Sequence, residues 1–91
     1  MFSIELGEDG NVRLNGRLDA AQCAKAEEFL GTVDGPSTLD FAQLEYISSA
    51  GLGILLKTQK RLVEKGAGLK IINLNNQIIN YLNNNIFTKI T

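Results

Sequence analysis

The chain has no histidine and no tryptophan, and only one cysteine, in 91 residues. Each absence removes a class of function. Without histidine, the commonest general base, the commonest metal ligand and the usual partner of a serine nucleophile are all missing. One cysteine without histidine excludes a zinc site of the usual kind. Cys23 has no second thiol, so no internal disulfide can form, and a reducing compartment, the cytoplasm, is the natural expectation. Long apolar runs are missing too. The longest stretch without a charge, Ile71 to Thr88, is rich in asparagine and cannot span a bilayer. Met1 to Glu5 carries neither the basic flank nor the apolar length of a signal peptide. An excess of one charge is also lacking. Nine basic and ten acidic residues leave a net charge of −1, which matches neither a nucleic-acid footprint nor a polybasic membrane anchor.

What is there fits a small globular protein. The hydrophobic share of 44% and the charged share of 21% are too apolar and too balanced for disorder. The length fits one domain, which buries roughly 60–65% of its unfolded surface.

The chain opens as a hairpin. Phe2, Ile4 and Leu6 alternate with Ser3 and Glu5, Gly7 to Gly10 turns, and Val12 and Leu14 resume the alternation. Asn15-Gly16 has the composition of a second hairpin turn. A kink or bulge at Gly16 in a strand reaching Leu18 is preferred, because a helix signal follows at once. That signal is Asp19-Ala20-Ala21-Gln22, a capping box with Gln at the third helical position. Cys23, Ala26, Phe29 and Leu30 share one face of the helix, and Asp34-Gly35-Pro36 stops it. Thr38 to Phe41 reads as a short strand and Gln43 to Ile47 as a loop. A long helix follows, with Leu52, Leu55, Leu56, Leu62 and Val63 inward and Lys65-Gly66 at its end. Leu69 to Leu74 reads as a strand. Asn75 or Asn76 caps a short helix with Ile78, Ile79 and Leu82 inward, and Phe87 to Ile90 reads as an edge strand. The fold expected is α/β: a single small domain, residues 1–91, with a mixed four- to five-stranded sheet, an N-terminal hairpin and three or more packed helices. The seven asparagines from Asn73 to Asn85 read as cap and loop residues.

One segment carries more information than the rest. From Asp40 to Gly53 a strand ends, an irregular stretch follows, and Ser48 and Ser49 sit where a helix begins. Gly51 and Gly53 fall in its first turns, where helix propensity would not choose them. Small residues there keep the surface open to a close approach. Either serine serves as an N-cap. A phosphoserine at the same place would be tolerated by the positive end of the helix and would add about −1.5 to −2 charges.

Catalytic motifs are lacking. Gly51-Leu52-Gly53 is not a dinucleotide fingerprint, because Leu56 holds the third glycine position. Gly66-Ala67-Gly68-Leu69-Lys70 has the wrong spacing for a phosphate loop. Neither serine has a positioned base or a Ser-x-x-Lys pattern. Asp19 and Asp40, the one acid pair worth weighing, are explained by a helix cap and a strand end. The expectation is a protein-binding domain that is not an enzyme and has no cofactor, no metal, no nucleic-acid partner and no direct membrane insertion.

These segments resemble the STAS family, small domains typified by bacterial anti-sigma factor antagonists. The resemblance rests on Gly16-Arg17-Leu18-Asp19-Ala20, on the Asp40-Phe41 strand end, and on Tyr46-Ile47-Ser48-Ser49-Ala50-Gly51-Leu52-Gly53. It continues through Leu69 to Leu74 and the short helix after it. It implies partner switching. The unmodified domain binds an anti-sigma factor that is also a serine kinase, phosphorylation releases it, and a phosphatase resets it. The acceptor falls on Ser49, with Ser48 its neighbour, and Asp19 matches an aspartate in the adjoining loop. The partner surface so implied comprises Asp19, Ser48, Ser49, Ala50, Gly51, Leu52 and Gly53 on a monomer or weak dimer. Many members carry Asp where this chain has Ser48, and Ser or Thr where it has Ala50. Other STAS domains serve as constitutive subunits of lipid- or anion-transport complexes, and that is the alternative implied.

Overall fold

A computed structural model describes residues 1–84, and of residues 81–84 the backbone alone. The opening alternation forms β1 (Phe2–Leu6), and the Gly7–Gly10 turn returns the chain as β2 (Val12–Leu18). The two pair antiparallel, Phe2 opposite Gly16 and Leu6 opposite Val12. Gly16 has φ +86, and a Cβ there would stand 1.9 Å from the Met1 carbonyl oxygen. Only glycine fits that backbone. It is the kink that the sequence suggests in a strand reaching Leu18, and beside it the pairing of β2 with the neighbouring strand shifts, Gly16 opposite Leu44 but Arg17 opposite Tyr46, which leaves Glu45 as the extra residue.

Two strands share one side of β2. β3 (Ser37–Asp40) lies parallel to its first half, Val12 opposite Leu39, and β4 (Leu44–Ile47) lies parallel to its second half, Leu18 opposite Ile47. β5 (Leu69–Ile72) pairs parallel with β3, so the path is β1-β2-β3-β5 with β4 beside β2. The expected loop at Gln43 to Ile47 is therefore corrected to a turn and a strand. The strand escapes a period-two reading because its buried residues, Leu44 and Ile47, are three apart. The mixed five-stranded sheet with three α-helices is otherwise the α/β fold that the sequence implies.

The capping box is also corrected. A 3-10 turn, Ala20–Gln22, precedes α1 (Cys23–Gly31), and Asp19 makes no side-chain cap. The Gln22 N–H donates to the Asp19 carbonyl instead, at 3.0 Å. α2 (Ser49–Glu64) buries Gly51, Leu52, Leu55, Thr58 and Leu62. Leu56 and Val63, expected on that face, are 43% and 54% exposed. Each follows a core leucine by one position, which turns it about 100° off the buried stripe. A second row at spacing four, running along α2 to its C-cap, binds α1 and the turn after it. Lys57 pairs with Glu27 at 2.9 Å, Arg61 donates to the carbonyls of Leu30 and Val33 at 2.9 Å each, and Lys65 pairs with Asp34. The two exposed ion pairs contribute little. Arg61 matters more, because it satisfies carbonyls at the open end of α1.

α3 (Asn76–Asn84) starts from Asn75, whose Oδ1 accepts from the Ile78 N–H at 2.9 Å and whose Nδ2 donates to the Leu44 carbonyl at 3.0 Å. Asn73 adopts φ +60 and donates to Asp40 at 3.0 Å. Asparagine is here a cap and loop residue. Ile78 is buried, but Ile79, also expected inward, is 36% exposed because it lies one position round the helix. The side chain of Leu82 and the expected strand at Phe87 to Ile90 lie outside the described residues. Among those residues no helix is long and apolar enough to cross a membrane.

Candidate functional site at the start of the second helix

β2 and β4 end side by side, with Leu18 opposite Ile47, and the Ser48 N–H donates to the Leu18 carbonyl at 2.9 Å. One step beyond that pair come Asp19 on one chain segment and Ser48 on the other. The parallel register thus brings together residues 29 positions apart, as the resemblance implies.

The two serines divide the work at the helix start. Ser48 is the N-cap: its Oγ accepts from the Gly51 N–H at 3.1 Å, and its carbonyl accepts from the Leu52 N–H at 2.9 Å. Ser49 is the first residue of α2 and is exposed, as are Ala50 and Gly53. Asp19 and Ser48 are half-buried. Gly51 and Leu52, expected on the partner surface, are buried and leave it. A Cβ on Gly51 would stand 2.9 Å from Leu18 Cγ and 3.1 Å from Ile47 Cγ1. Gly51 is small so that α2 can pack on the ends of its own β2 and β4. Around Gly53 nothing would lie within 4 Å of a Cβ, so that position is open.

Asp19 is joined to α1 through its backbone, since the Cys23 thiol donates to the Asp19 carbonyl at 3.3 Å. Among the described residues its Oδ1 is buried without a hydrogen-bond partner. Asp40 stands apart. Its carboxyl is held below the usual range, first by the Ala42 N–H and then by the Asn73 amide, so it serves as an ionised structural acceptor. Neither aspartate sits with a third acidic, cysteine or histidine side chain that would make a metal cluster among the described residues. One neighbour escapes the sequence reading. The Arg17 guanidinium lies 4.4 Å from the centre of the Tyr46 ring, at the same end of β2 and β4. The signal was hidden because Tyr46 falls in the segment that reads as a loop.

A half-buried aspartate, a capping serine and an exposed serine thus lie at the start of α2 and the adjoining sheet end. The class of protein follows from the sequence itself. The chain belongs to the STAS domain family: the family model described as "Mlab, STAS domain" matches residues 4–84. Solved structures share the fold. The chain is similar to an antisigma-factor antagonist STAS domain from Rhodobacter sphaeroides, with a TM-score of 0.53 and 20% identity over 80% of this chain and 85% of that one. It is similar to the anti-sigma factor antagonist SpoIIAA in its unphosphorylated form, with a TM-score of 0.66 and 19% identity over 91% of this chain and 82% of that one. It is similar to the Bacillus cell fate determinant SpoIIAA in its phosphorylated form, with a TM-score of 0.67 and 18% identity over 99% of this chain and 85% of that one. No curated protein matches the sequence. Identities this low carry the fold, and function has to be argued from the site.

Proposed function

We propose that this chain is an anti-sigma factor antagonist of the cytoplasm, a binding domain without catalysis of its own. Through Asp19, Ser49, Ala50 and Gly53 it docks an anti-sigma factor that is also a serine kinase. Phosphorylation of Ser49 releases it, and a phosphatase restores it. The observation that carries this reading is the division between the two serines. Ser48 already caps the helix, so the exposed Ser49 hydroxyl is not required for that task.

The physical consequence is direct. A phosphoryl group on Ser49 adds about −1.5 to −2 charges to a surface of small residues. The positive end of α2 makes that charge tolerable to the fold. A partner docked there meets both the added bulk and the added charge, at the end of the sheet that carries Asp19. Two of the similar structures are of one antagonist in its unphosphorylated and phosphorylated forms, which supports the reading by analogy.

The test is to incubate the full chain with an anti-sigma serine kinase from the same genome and ATP, then map the product by mass spectrometry. Phosphate is expected on Ser49 and is lost in Ser49→Ala. Phosphate elsewhere, or none, contradicts the proposal. A stable complex with a transport ATPase that Ser49→Asp leaves intact would instead make the chain a constitutive subunit.

A further inference from the structure

Among the described residues the outer side of β1 is an unpaired edge. β1 is last in the strand order, and among the described residues no strand lies beyond it. In an antiparallel pair the N–H and C=O of one residue point to the same side, and those of the next residue point away. The Met1 carbonyl accepts from the Arg17 N–H at 3.0 Å, and the Gly7 N–H donates to the Asn11 carbonyl at 2.8 Å. Residues 1, 3, 5 and 7 therefore face β2, and Phe2, Ile4 and Leu6 turn their peptide groups outward. Lys25 Nζ donates to the Phe2 carbonyl at 3.3 Å and covers one end. Proteins blunt such edges with charge, proline or bulges. β1 has no proline, and its register with β2 runs without a break.

Two further features lie along the same edge. An open groove of about 300 Å³ runs beside it, with half-buried Ile4 and Phe29 in its lining next to Lys25 and Glu28. Leu6, at the end of the strand, is 66% exposed.

We propose that β1 pairs antiparallel with β1 of a second copy of this chain. The strand is self-complementary in one register. A two-fold axis at Ile4 sets Ile4 opposite Ile4, and Phe2 opposite Leu6 of the second copy. These are the residues whose peptide groups point outward, so the hydrogen-bonded rungs fall on them, and Lys25 yields the Phe2 carbonyl to the Leu6 N–H of the second copy. Ser3 then lies opposite Glu5, so the single charge of β1 meets a hydroxyl and not its like. Leu6 of the second copy comes beside Phe2, on the side of the sheet that carries the groove, and gains apolar surface there. The contact is one five-residue strand with its groove, smaller than the roughly 800 Å² per partner of a standard interface. The dimer is accordingly reversible and forms at high protein concentration. This pairing does not depend on the reading of Ser49.

The test is sedimentation equilibrium of the full chain up to the millimolar range, with amide hydrogen exchange on the same samples. The average mass should rise towards that of two copies, and exchange at the Ile4 and Leu6 amides should slow as it does. Leu6→Lys sets a second cation beside Lys25 of the other copy. Ile4→Pro removes the central outward N–H without removing a β1–β2 rung, at an edge position that tolerates proline. Each should abolish the association and leave the circular dichroism spectrum unchanged. A wild-type chain that stays monomeric at the highest concentration overturns the proposal, as does a dimer that survives Leu6→Lys.

Discussion

Ser48 and Gly51 face the fold; Ser49 and Gly53, one and two positions further along α2, face solvent. Ser48 closes the helix on its own backbone, and Gly51 lets the helix settle on Leu18 and Ile47. Ser49 and Gly53 are exposed, and nothing would stand near a Cβ at Gly53. The same two residue types are thus buried or half-buried and structural on one side of the helix start and exposed on the other. Composition alone does not separate a packing residue from a recognition residue. What separates them is which way the first turn points.

Substitutions can break or sharpen that contrast. The largest effect should come from Gly51→Val, whose branched side chain would collide with Leu18 and Ile47. Overpacking of this kind costs about 3 kcal/mol, read as a lower urea midpoint at an unchanged slope. Ser48→Ala removes the cap and should cost about 1 kcal/mol in the same assay. Gly53→Ala should act in the opposite direction, stabilising by about 0.5–1 kcal/mol, because alanine is the better helix former and meets no neighbour. If Gly53→Ala destabilised as Gly51→Val does, the inner and outer assignment would be wrong. Ser49→Ala should change stability by no more than about 0.5 kcal/mol, as an exposed site does. The smallest effect lies away from the helix start and serves as a control. Asp40 has a lowered pKa in the fold, so the stability it adds is present above its unfolded pKa of about 4 and is lost as pH falls through the folded value. Asp40→Asn should flatten that acid limb in pH-dependent unfolding.

The legible parts of the fold were those in which one face and one period agreed. The hairpin, the kink at Gly16, the end of α2 at Gly66 and an asparagine cap before the last helix, which falls on Asn75 of the two candidates, are all written in local residue chemistry, and the structure has each of them. β4 was not legible. Its pairing with β2 skips Glu45, between Leu44 and Tyr46, so its buried residues Leu44 and Ile47 lose the period of two. Leu56, Val63 and Ile79 show the same limit on helices, since an apolar residue at the edge of a stripe reads as part of it. At the site, Asp19, Ser48 and Ser49 were identified by residue type and by family resemblance, and the register of β2 with β4 explains why the first two share an end of the sheet. The inward turn of Gly51 and Leu52 had no local signal, because it depends on where the sheet lies beneath α2.

The most direct measurement is the affinity of the unmodified chain, the Ser49-phosphorylated chain and Ser49→Ala for the anti-sigma kinase, by titration calorimetry. The account predicts that Ser49→Ala binds as the unmodified chain does, while the phosphorylated chain binds at least about a hundredfold more weakly. Equal affinity of the phosphorylated and unmodified chains would contradict it.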